Sequence, residues 1–350
     1  MLRIGFVGTG LIAWAHGLGL NAMIEAGVID AGITVVHDVS DRRAHGFAQA
    51  CGAEVVPDLE SVMAASDAVY ICTPTSAHRA AVDAAVSAGL PIFCEKPLST
   101  DLTGAEALVD AAVGVPSQSG LVLRSAPVFR AVQDLVVSGQ FGRPMAAVFR
   151  DDQYLPIQGT YGFGSKWRSD VTQAGGGCLI EHSIHDVDIL RCCFGDVDEV
   201  SAQTSNFAGH DGIEDMAALT MCFSSGMTAQ LTSVWHNVLT RGSSRSIEVF
   251  FEQAMVSLKD EFRGPLRIET SEGREDRLCP SPSWVDELPF ADAETGLSIK
   301  PYVEADRAFV DAVTSGVAPQ PSLFDALMAH RLVDAAYRSA DGGGVPVSLG

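Results

Sequence analysis

Two short stretches concentrate the side chains that could move protons. The first, CEKPLST at residues 94–100, sets a lysine between a carboxylate and a proline directly after the apolar run LPIFC. A charge at the end of a buried strand is costly unless something needs it there, and the carboxyl ends of parallel strands are where open α/β sheets bind ligands. Pro97 removes a backbone donor and stops the strand, which holds Lys96, with Glu95 before it, at the mouth of such a crevice. The competing reading is a lysine that only marks an exposed strand end. The second stretch, GGGCLIEHSIHDVDILRCCFG at residues 175–195, is helix-like from Leu179 onward. Glu181, His185 and Asp188 then fall at i, i+4 and i+7 on one face. An acid and an imidazole one turn apart on an otherwise apolar helix can act as a proton relay. Glu181, His182, His185 and Asp188 all have metal-ligating atoms, but the HExxH order is missing and no second Cys or His cluster supports it, so no metal is expected. Asp188 and His182 read better as structural residues.

Chemistry at Lys96 needs a co-reactant, and the N-terminus offers a place for one. The first strand ends in GFVGTGLIAWAHG, where Gly8, Gly10 and Ala13 fit G-x-G-x-x-A at a strand-to-helix junction. Gly8 allows the tight turn, Gly10 lets backbone approach a pyrophosphate, small Ala13 permits helix to pack on strand, and the helix start at Leu11 and Ile12 faces the phosphates. A second strand ending in Asp38 places a carboxylate for an adenosine ribose diol and against a 2′-phosphate, which favours NAD over NADP. Arg42 and Arg43 stand nearby, and a guanidinium turned inward could cradle the extra phosphate; the alternative is a solvated helix face. The fourth strand ends in CTPTSAH, which lays Thr73 and Pro74 beside the nicotinamide path. His78 follows as a structural or ribose-adjacent residue.

The elements that must hold these groups fall into two sets. From residue 2 to about 123, the apolar runs RIGFVG, ITVVHD, AEVV, DAVYICTP, LPIFCEKP and SGLVLR alternate with helix-like segments such as SAHRAAVDAAVSAG. Six strands crossing over through helices make a doubly wound parallel sheet. After Arg124 a helix-like segment ends at FGRP, and the long strands MAAVFRDDQY, DEVSAQTSNF, DMAALTMCFSS, MTAQLTSVWH and RSIEVFFEQAMVSL follow without helical crossovers. They predict an antiparallel sheet in a second, α+β domain, so the division is 1–123 for the dinucleotide domain and 124–350 for substrate binding and oligomerisation. Residues 263–301 read as polar loops, and helices are expected near 303–315 and 323–340. Substrate contacts fall to the second domain: Arg124 leaving the sixth strand, Tyr154 ending the first long strand, and Lys166, Trp167 and Arg168 in the loop GTYGFGSKWRSD, with His185. Aromatic and cationic groups together suit a polyol bearing a carboxylate or phosphate. Trp235 and His236 read as sheet-face residues.

Composition excludes several classes. The 350 residues, 47% hydrophobic and 19% charged, are an ordinary globular mixture. A formal net charge of -21 repels phosphate backbones and anionic lipid surfaces, so neither nucleic acid nor membrane is an expected partner. No run approaches the ~20 apolar residues of a span. Eight cysteines without a CxxC pair, several inside apolar runs, read as buried thiols in a reducing compartment. With no signal-like N-terminus, a cytoplasmic protein is expected.

GTGLIA, HD at the second strand, TPTSAH, CEKPLS, LVLRSAPVFR, FGRP, the GGG…H..D segment and the tail PSLFDALMAHRLVDAAYRSA with GVPVSL together resemble the glucose-fructose oxidoreductase / inositol dehydrogenase / MocA family of NAD(P)-dependent oxidoreductases. The resemblance implies an N-terminal Rossmann domain, a C-terminal α+β domain with an open-faced, mostly antiparallel sheet, and homodimers or homotetramers paired through that face. It also implies roles: Lys96 matches the EKP lysine, His185 the helix histidine and Glu181 the acid one turn before it, which serve hydroxyl deprotonation in the dehydrogenases. That acid is commonly Asp in the family, so Glu181 is one methylene longer. The expected activity is hydride transfer between a secondary alcohol of a sugar, cyclitol or related polyol and the nicotinamide. Two alternatives share the fold: redox-assisted glycoside cleavage with tightly bound NAD, and a non-catalytic nucleotide-binding regulator.

Overall fold

The computed structural model describes residues 1–157, 165–238, 240–259, 264–290 and 293–349, with the backbone alone over 293–298. In chain order the first elements are β1 (Leu2–Val7), α1 (Leu11–Glu25), β2 (Ala31–His37), α2 (Asp41–Cys51), β3 (Glu54–Val55), α3 (Leu59–Ala64), β4 (Ala68–Ile71), α4 (His78–Ala88), β5 (Ile92–Cys94), α5 (Leu102–Ala111) and β6 (Ser117–Ser119). Then come α6 (Pro127–Ser138), β7 (Pro144–Tyr154), α7 (Val171–Ala174), α8 (Cys178–Glu181), α9 (Ile184–Phe194), β8 (Val197–Ser205), β9 (Met216–Phe223) and β10 (Thr228–His236). The chain closes with β11 (Ser244–Phe251), β12 (Ala254–Leu258), β13 (Leu266–Thr270), β14 (Gly273–Arg277), α10 (Ser283–Asp286), α11 (Ala293–Ser315), α12 (Leu323–Asp341) and β15 (Val347–Ser348). Two compact units result, one of Met1–Ser125 with Ser281–Leu327, the other of Ala126–Pro280 with Met328–Gly350. A reading by strand register alone sets one boundary near 124; residues 281–327 pack back on the first unit.

In that first unit six parallel strands run in the order β3-β2-β1-β4-β5-β6. The central strands are apolar on both faces because helices cover both: all four residues of β4 and all three of β5 are buried. The strand order reverses between β1 and β4, which opens the ligand crevice of a doubly wound sheet at their carboxyl ends. Helix ends follow local chemistry. Asp58 and Asp101 cap α3 and α5 by accepting from Ser61 N and Gly104 N, and Gly52 and Gly89 end α2 and α4 in left-handed conformation. The sixth strand differs from expectation: it is Ser117–Ser119, and Val122–Ser125 form a 3-10 turn instead of a strand. Register explains the shift, since Ile92 pairs with Ser117 and Cys94 with Ser119, which exhausts the short β5.

The late helix α11 belongs to this unit through both packing and charge. Val303 and Phe309 join the core cluster of Ile4, Phe6, Leu20 and Tyr70. Asp306 lies fully buried against the Nδ1 of equally buried His16 at 2.6 Å, and His16 Nε2 meets Glu95 Oε1 at 3.0 Å. The rings of Tyr70, Phe93 and Tyr302 surround the imidazole at 4.8–5.5 Å.

The second unit holds a sheet whose described strands run β14-β13-β12-β11-β7-β10-β9-β8-β15. Its pairings are antiparallel except that of β7 with β10, where Ala146 faces Thr228 and Tyr154 faces His236. The long run RSIEVFFEQAMVSL is a hairpin, β11 and β12, and the supposed loops at 263–301 include two further strands, β13 and β14, and the start of α11. Alternation sorts the faces: Ala147, Phe149, Leu231 and Val249 are buried, whereas Val148, Arg150, Gln230, Thr232 and Phe250 on the other face are exposed. The uncovered face therefore mixes polar with apolar side chains. All eight cysteines are free thiols.

His16 makes stability depend on pH in a stated direction. Burial opposes the imidazolium, but Asp306 and Glu95 more than reverse it and carry its pKa from the ordinary 6.5 up to about 10. A raised pKa means that the folded state holds a proton the unfolded chain releases, so this contribution is full below about pH 6.5 and lost as pH climbs towards 10. The melting temperature should fall between pH 7 and 10, and His16→Gln, which cannot titrate, should flatten that slope; a slope unchanged in the variant would show that other groups set it.

Candidate active site

The nucleotide end is built from the β1–α1 turn. Gly8 has φ of 86°, and a Cβ there would lie 2.7 Å from the Cys72 carbonyl oxygen, so glycine alone lets the turn pass against the end of β4. Gly10 begins α1 with no side-chain cap, and a Cβ built on it meets no atom within 4 Å. The helix start thus presents the amides of Leu11 and Ile12 beside open space, the setting in which a phosphate is held. Asp38 braces the turn, accepting from Thr9 N at 2.8 Å, Thr9 Oγ1 at 3.0 Å and Ser40 N at 2.7 Å. Arg43 Nη2 adds a contact at 2.7 Å, so Arg43 is turned on Asp38. Burial opposes the Asp38 charge, but Arg43, Thr9 and Ser40 outweigh it and hold the carboxyl below its usual range.

Beyond β4, buried His78 holds the Thr73 carbonyl at 3.1 Å and so fixes the turn that Pro74 starts; burial pushes its pKa down. The Thr73 hydroxyl is buried without a hydrogen-bond partner among the described residues. A dinucleotide fits this set: an uncapped helix start, a carboxylate after β2 and an unmet hydroxyl after β4. Lys96 follows β5 with its side chain half-buried, while Glu95 is 4% exposed and its Oε2 accepts from Lys96 N at 3.1 Å.

In the second unit the GGG segment is not one helix. The chain breaks at His182 and Ser183, between α8 and α9, so Glu181 ends one helix while His185 and Asp188 lie on the next. The shared face expected from i, i+4, i+7 spacing is therefore replaced by two short helices with a kink. Glu214, in the link from β8 to β9, fixes the first of them. Its carboxylate accepts from Gly177 N at 2.7 Å, Leu179 N at 2.9 Å and the Tyr337 hydroxyl at 2.9 Å, although burial pushes its pKa up. Gly177 lies so close to the Glu214 backbone that a Cβ would overlap its carbonyl oxygen. Ser183 fixes the second helix, donating to Asp151 at 3.0 Å and lying 2.6 Å from Ser233.

Around His185 lies a buried charge network that the motif reading missed. Arg245 Nε meets Asp186 at 2.7 Å, its Nη2 reaches Asp151 at 3.5 Å, and Gln153 donates to Asp151 at 2.6 Å. Burial works against both acids, but Arg245 draws Asp151 down to about 2, whereas burial and the Asp151 charge push Asp186 well up. One arginine thus serves two carboxyls, and of the two Asp186 holds its proton more tightly. A signal existed in the strands: Asp151 and Arg245 share parity with the inward Phe149, Ile247 and Val249.

Glu181 itself, 3% exposed, takes Arg168 Nε at 2.6 Å, and Arg168 stacks 4.3 Å from the Trp167 ring centre. Arg168 and Trp167 thus join the relay acid, while Lys166 is exposed in the same turn. Residues 158–164 of that loop, Tyr161 among them, lie outside the described residues. Arg124 does not leave a strand: it sits in the 3-10 turn with Nη1 3.2 Å from Asp325. Tyr154 places its ring edge-on to His236 at 5.5 Å, beside Asp152 and its partners Arg241 and Arg150. Trp235 is buried at 4% exposure. Among the described residues no group of three or more His, Cys, Asp or Glu is disposed to hold a metal, and no helix is long and apolar enough to cross a membrane.

The parallel sheet, the glycine turn and the lysine after β5 define a nucleotide-dependent oxidoreductase. Residues 2–118 match the oxidoreductase family with an NAD-binding Rossmann fold, and residues 129–257 match the GFO/IDH/MocA C-terminal domain. The chain belongs to the GFO/IDH/MocA oxidoreductase family, and its nucleotide is NAD. It is 27% identical to an inositol 2-dehydrogenase of Cereibacter sphaeroides over 357 residues, covering 99% of this chain and 97% of that protein. Identity reaches 37% with a 1,5-anhydro-D-fructose reductase of Ensifer adhaerens, over 170 residues that make up 47% of this chain and 49% of the relative. Levoglucosan dehydrogenase in complex with NADH shares the fold, with a TM-score of 0.87, 20% identity, and coverage of 100% of this chain and 99% of that one.

Asp38 predicts the form of the nucleotide that binds better. An acceptor-only carboxylate favours a ribose diol and repels a 2′-phosphate, and Arg43 is already committed to it. NAD should raise the melting temperature more than NADP at equal concentration. Equal or greater stabilisation by NADP would mean that Arg43 leaves Asp38 for the phosphate.

Proposed function

We propose that this oxidoreductase interconverts a secondary alcohol and a ketone on a sugar, cyclitol or related polyol. The observation that carries the reading is Lys96, held half-buried at the end of β5 by the buried carboxylate of Glu95, beside the turns that receive the nucleotide. Bound NAD supplies the hydride acceptor. Lys96 takes the hydroxyl proton in the oxidation and returns it in the reduction, which is general acid–base work. His185 is the acid–base candidate of the second unit, with its helix fixed by Ser183 and by Arg245 on Asp186. Glu181, matched by Arg168, orients this end of the segment and does not serve as the base. Trp167, Arg168 and Lys166 face the polyol, an aromatic and two cations suited to hydroxyls beside an anionic group. The names of the relatives, inositol 2-dehydrogenase and 1,5-anhydro-D-fructose reductase, support cyclic polyols as the class. The uncovered sheet face, where Val148 and Phe250 stay exposed at 44% and 38%, pairs with a second copy.

Two experiments test this. Purified protein with NAD is offered myo-inositol, levoglucosan, aldoses, uronates and amino sugars, and NADH absorbance is followed. Sustained NADH from at least one polyol is expected; glycoside cleavage without NADH would transfer the chemistry to an oxidation–elimination–reduction cycle, and binding of NAD with no turnover of any kind would point to a regulator. On the active substrate, Lys96→Met should lower turnover at least ~10²-fold with NAD binding kept, His185→Ala should do likewise, and the double variant should lose much less than the product of the two. An active Lys96→Met enzyme sinks the assignment. For the sheet face, light scattering at micromolar concentration should give at least a dimer, and a monomer would remove that part.

A further inference from the structure

The buried imidazole of His16 lies on α1, outside the groups assigned above, yet it reaches the strand end that carries Lys96. Its Nε2 is 3.0 Å from Glu95 Oε1, and the other oxygen of the same carboxylate accepts from Lys96 N at 3.1 Å. The Glu95 carboxylate also packs directly on Gly120, where any Cβ would overlap its oxygens. On its far side, His16 Nδ1 is 2.6 Å from Asp306 Oδ1, and Asp306 comes from α11. His16 and Asp306 are 0% exposed and Glu95 is 4% exposed, so water does not compete for these bonds. With an ionised carboxylate on each ring nitrogen, the imidazole donates from both, as the imidazolium. Phe93 and Tyr302 stand edge-on to the ring and stop it turning to another partner.

We propose that His16 is a positioning residue for Lys96: Asp306 holds the imidazolium, the imidazolium holds Glu95, and Glu95 holds the Lys96 backbone in place. This deepens the reading of Lys96 as the acid–base group and rests on it for its catalytic consequence. The chain of contacts itself does not. A carboxylate left without His16 has one firm donor fewer and becomes free to rotate away from Lys96 N. Small displacements of a catalytic group are enough to slow a reaction by one to two powers of ten, roughly 10- to 10²-fold.

The test separates positioning from mere packing. In His16→Leu, hydrogen–deuterium exchange should speed up at the Lys96 amide while the amides of β1 and β4 keep their protection. His16→Gln, whose carboxamide still donates to Glu95, should recover most of that protection. On a polyol substrate, His16→Leu should lower kcat ~10-fold or more with the NAD dissociation constant within ~2-fold, and His16→Gln should regain much of it. In a Lys96→Met background the same His16→Leu change should cost nothing further. Should His16→Leu alone fail to fold, the double variant His16→Leu/Asp306→Leu removes the second stranded charge and carries the same readouts. Unchanged exchange at Lys96, or a kcat penalty that persists without the lysine, overturns the proposal. If instead Lys96→Met stays active while exchange at residue 96 still answers to His16, the clamp stands and the acid–base reading of the lysine falls.

Discussion

A carboxylate removed from water must be met by donors, and this constraint shapes both units around their reactive residues. Glu95 is met by an imidazolium and a backbone amide, Glu214 by two amides and a phenol, and Asp151 and Asp186 by one guanidinium. In each case the buried acid is close in sequence or in contact to a residue placed in the chemistry. Glu95 precedes Lys96, Asp186 follows His185, and Glu214 grips the start of the short helix that ends in Glu181. Acids hidden from solvent thus fix the side chains that have to meet it. Removing one donor from such a set costs more than a surface ion pair does, because it strands a charge in low dielectric.

Much of the nucleotide end was legible because its signals are local. Glycines at Gly8 and Gly10 after an apolar run, and an acid at Asp38 after the next run, have meanings that need no distant partner. The second unit resisted because its decisive contacts lie far apart in the chain. Nothing in the spacing of Glu181, His185 and Asp188 shows a helix break, since the period runs unbroken across it. The break is imposed by Glu214 on one side and by Asp151 and Ser233 on the other. The hairpin of β11 and β12 turns through Glu252 and Gln253 without a glycine, proline or asparagine to announce it. The charged run of β14 reads as loop because an exposed edge strand carries charge for its own reason, to discourage further pairing.

The kink has a chemical benefit over a continuous helix. Two short helices let Ser183, at the start of α9, bond to the sheet through its side chain, which a residue inside a regular helix seldom does. His185, the second residue of α9, inherits that anchoring, and Glu181 has its own partner in Arg168.

The return of residues 281–327 to the first unit bears on how the chain is made. A ribosome releases Met1–Ser125 first, with all six parallel strands, yet one face of that sheet waits for Val303, Phe309 and their neighbours. Until those emerge, the aromatic rings of Phe6 and Tyr70 lack part of their cover, and His16 lacks Asp306. The whole of Ala126–Pro280 is synthesised in between. Nascent chains therefore pass through a stage in which all six parallel strands exist but neither unit is whole, because the first waits for Ser281–Leu327 and the second for Met328–Gly350, which bring the Tyr337 hydroxyl to Glu214.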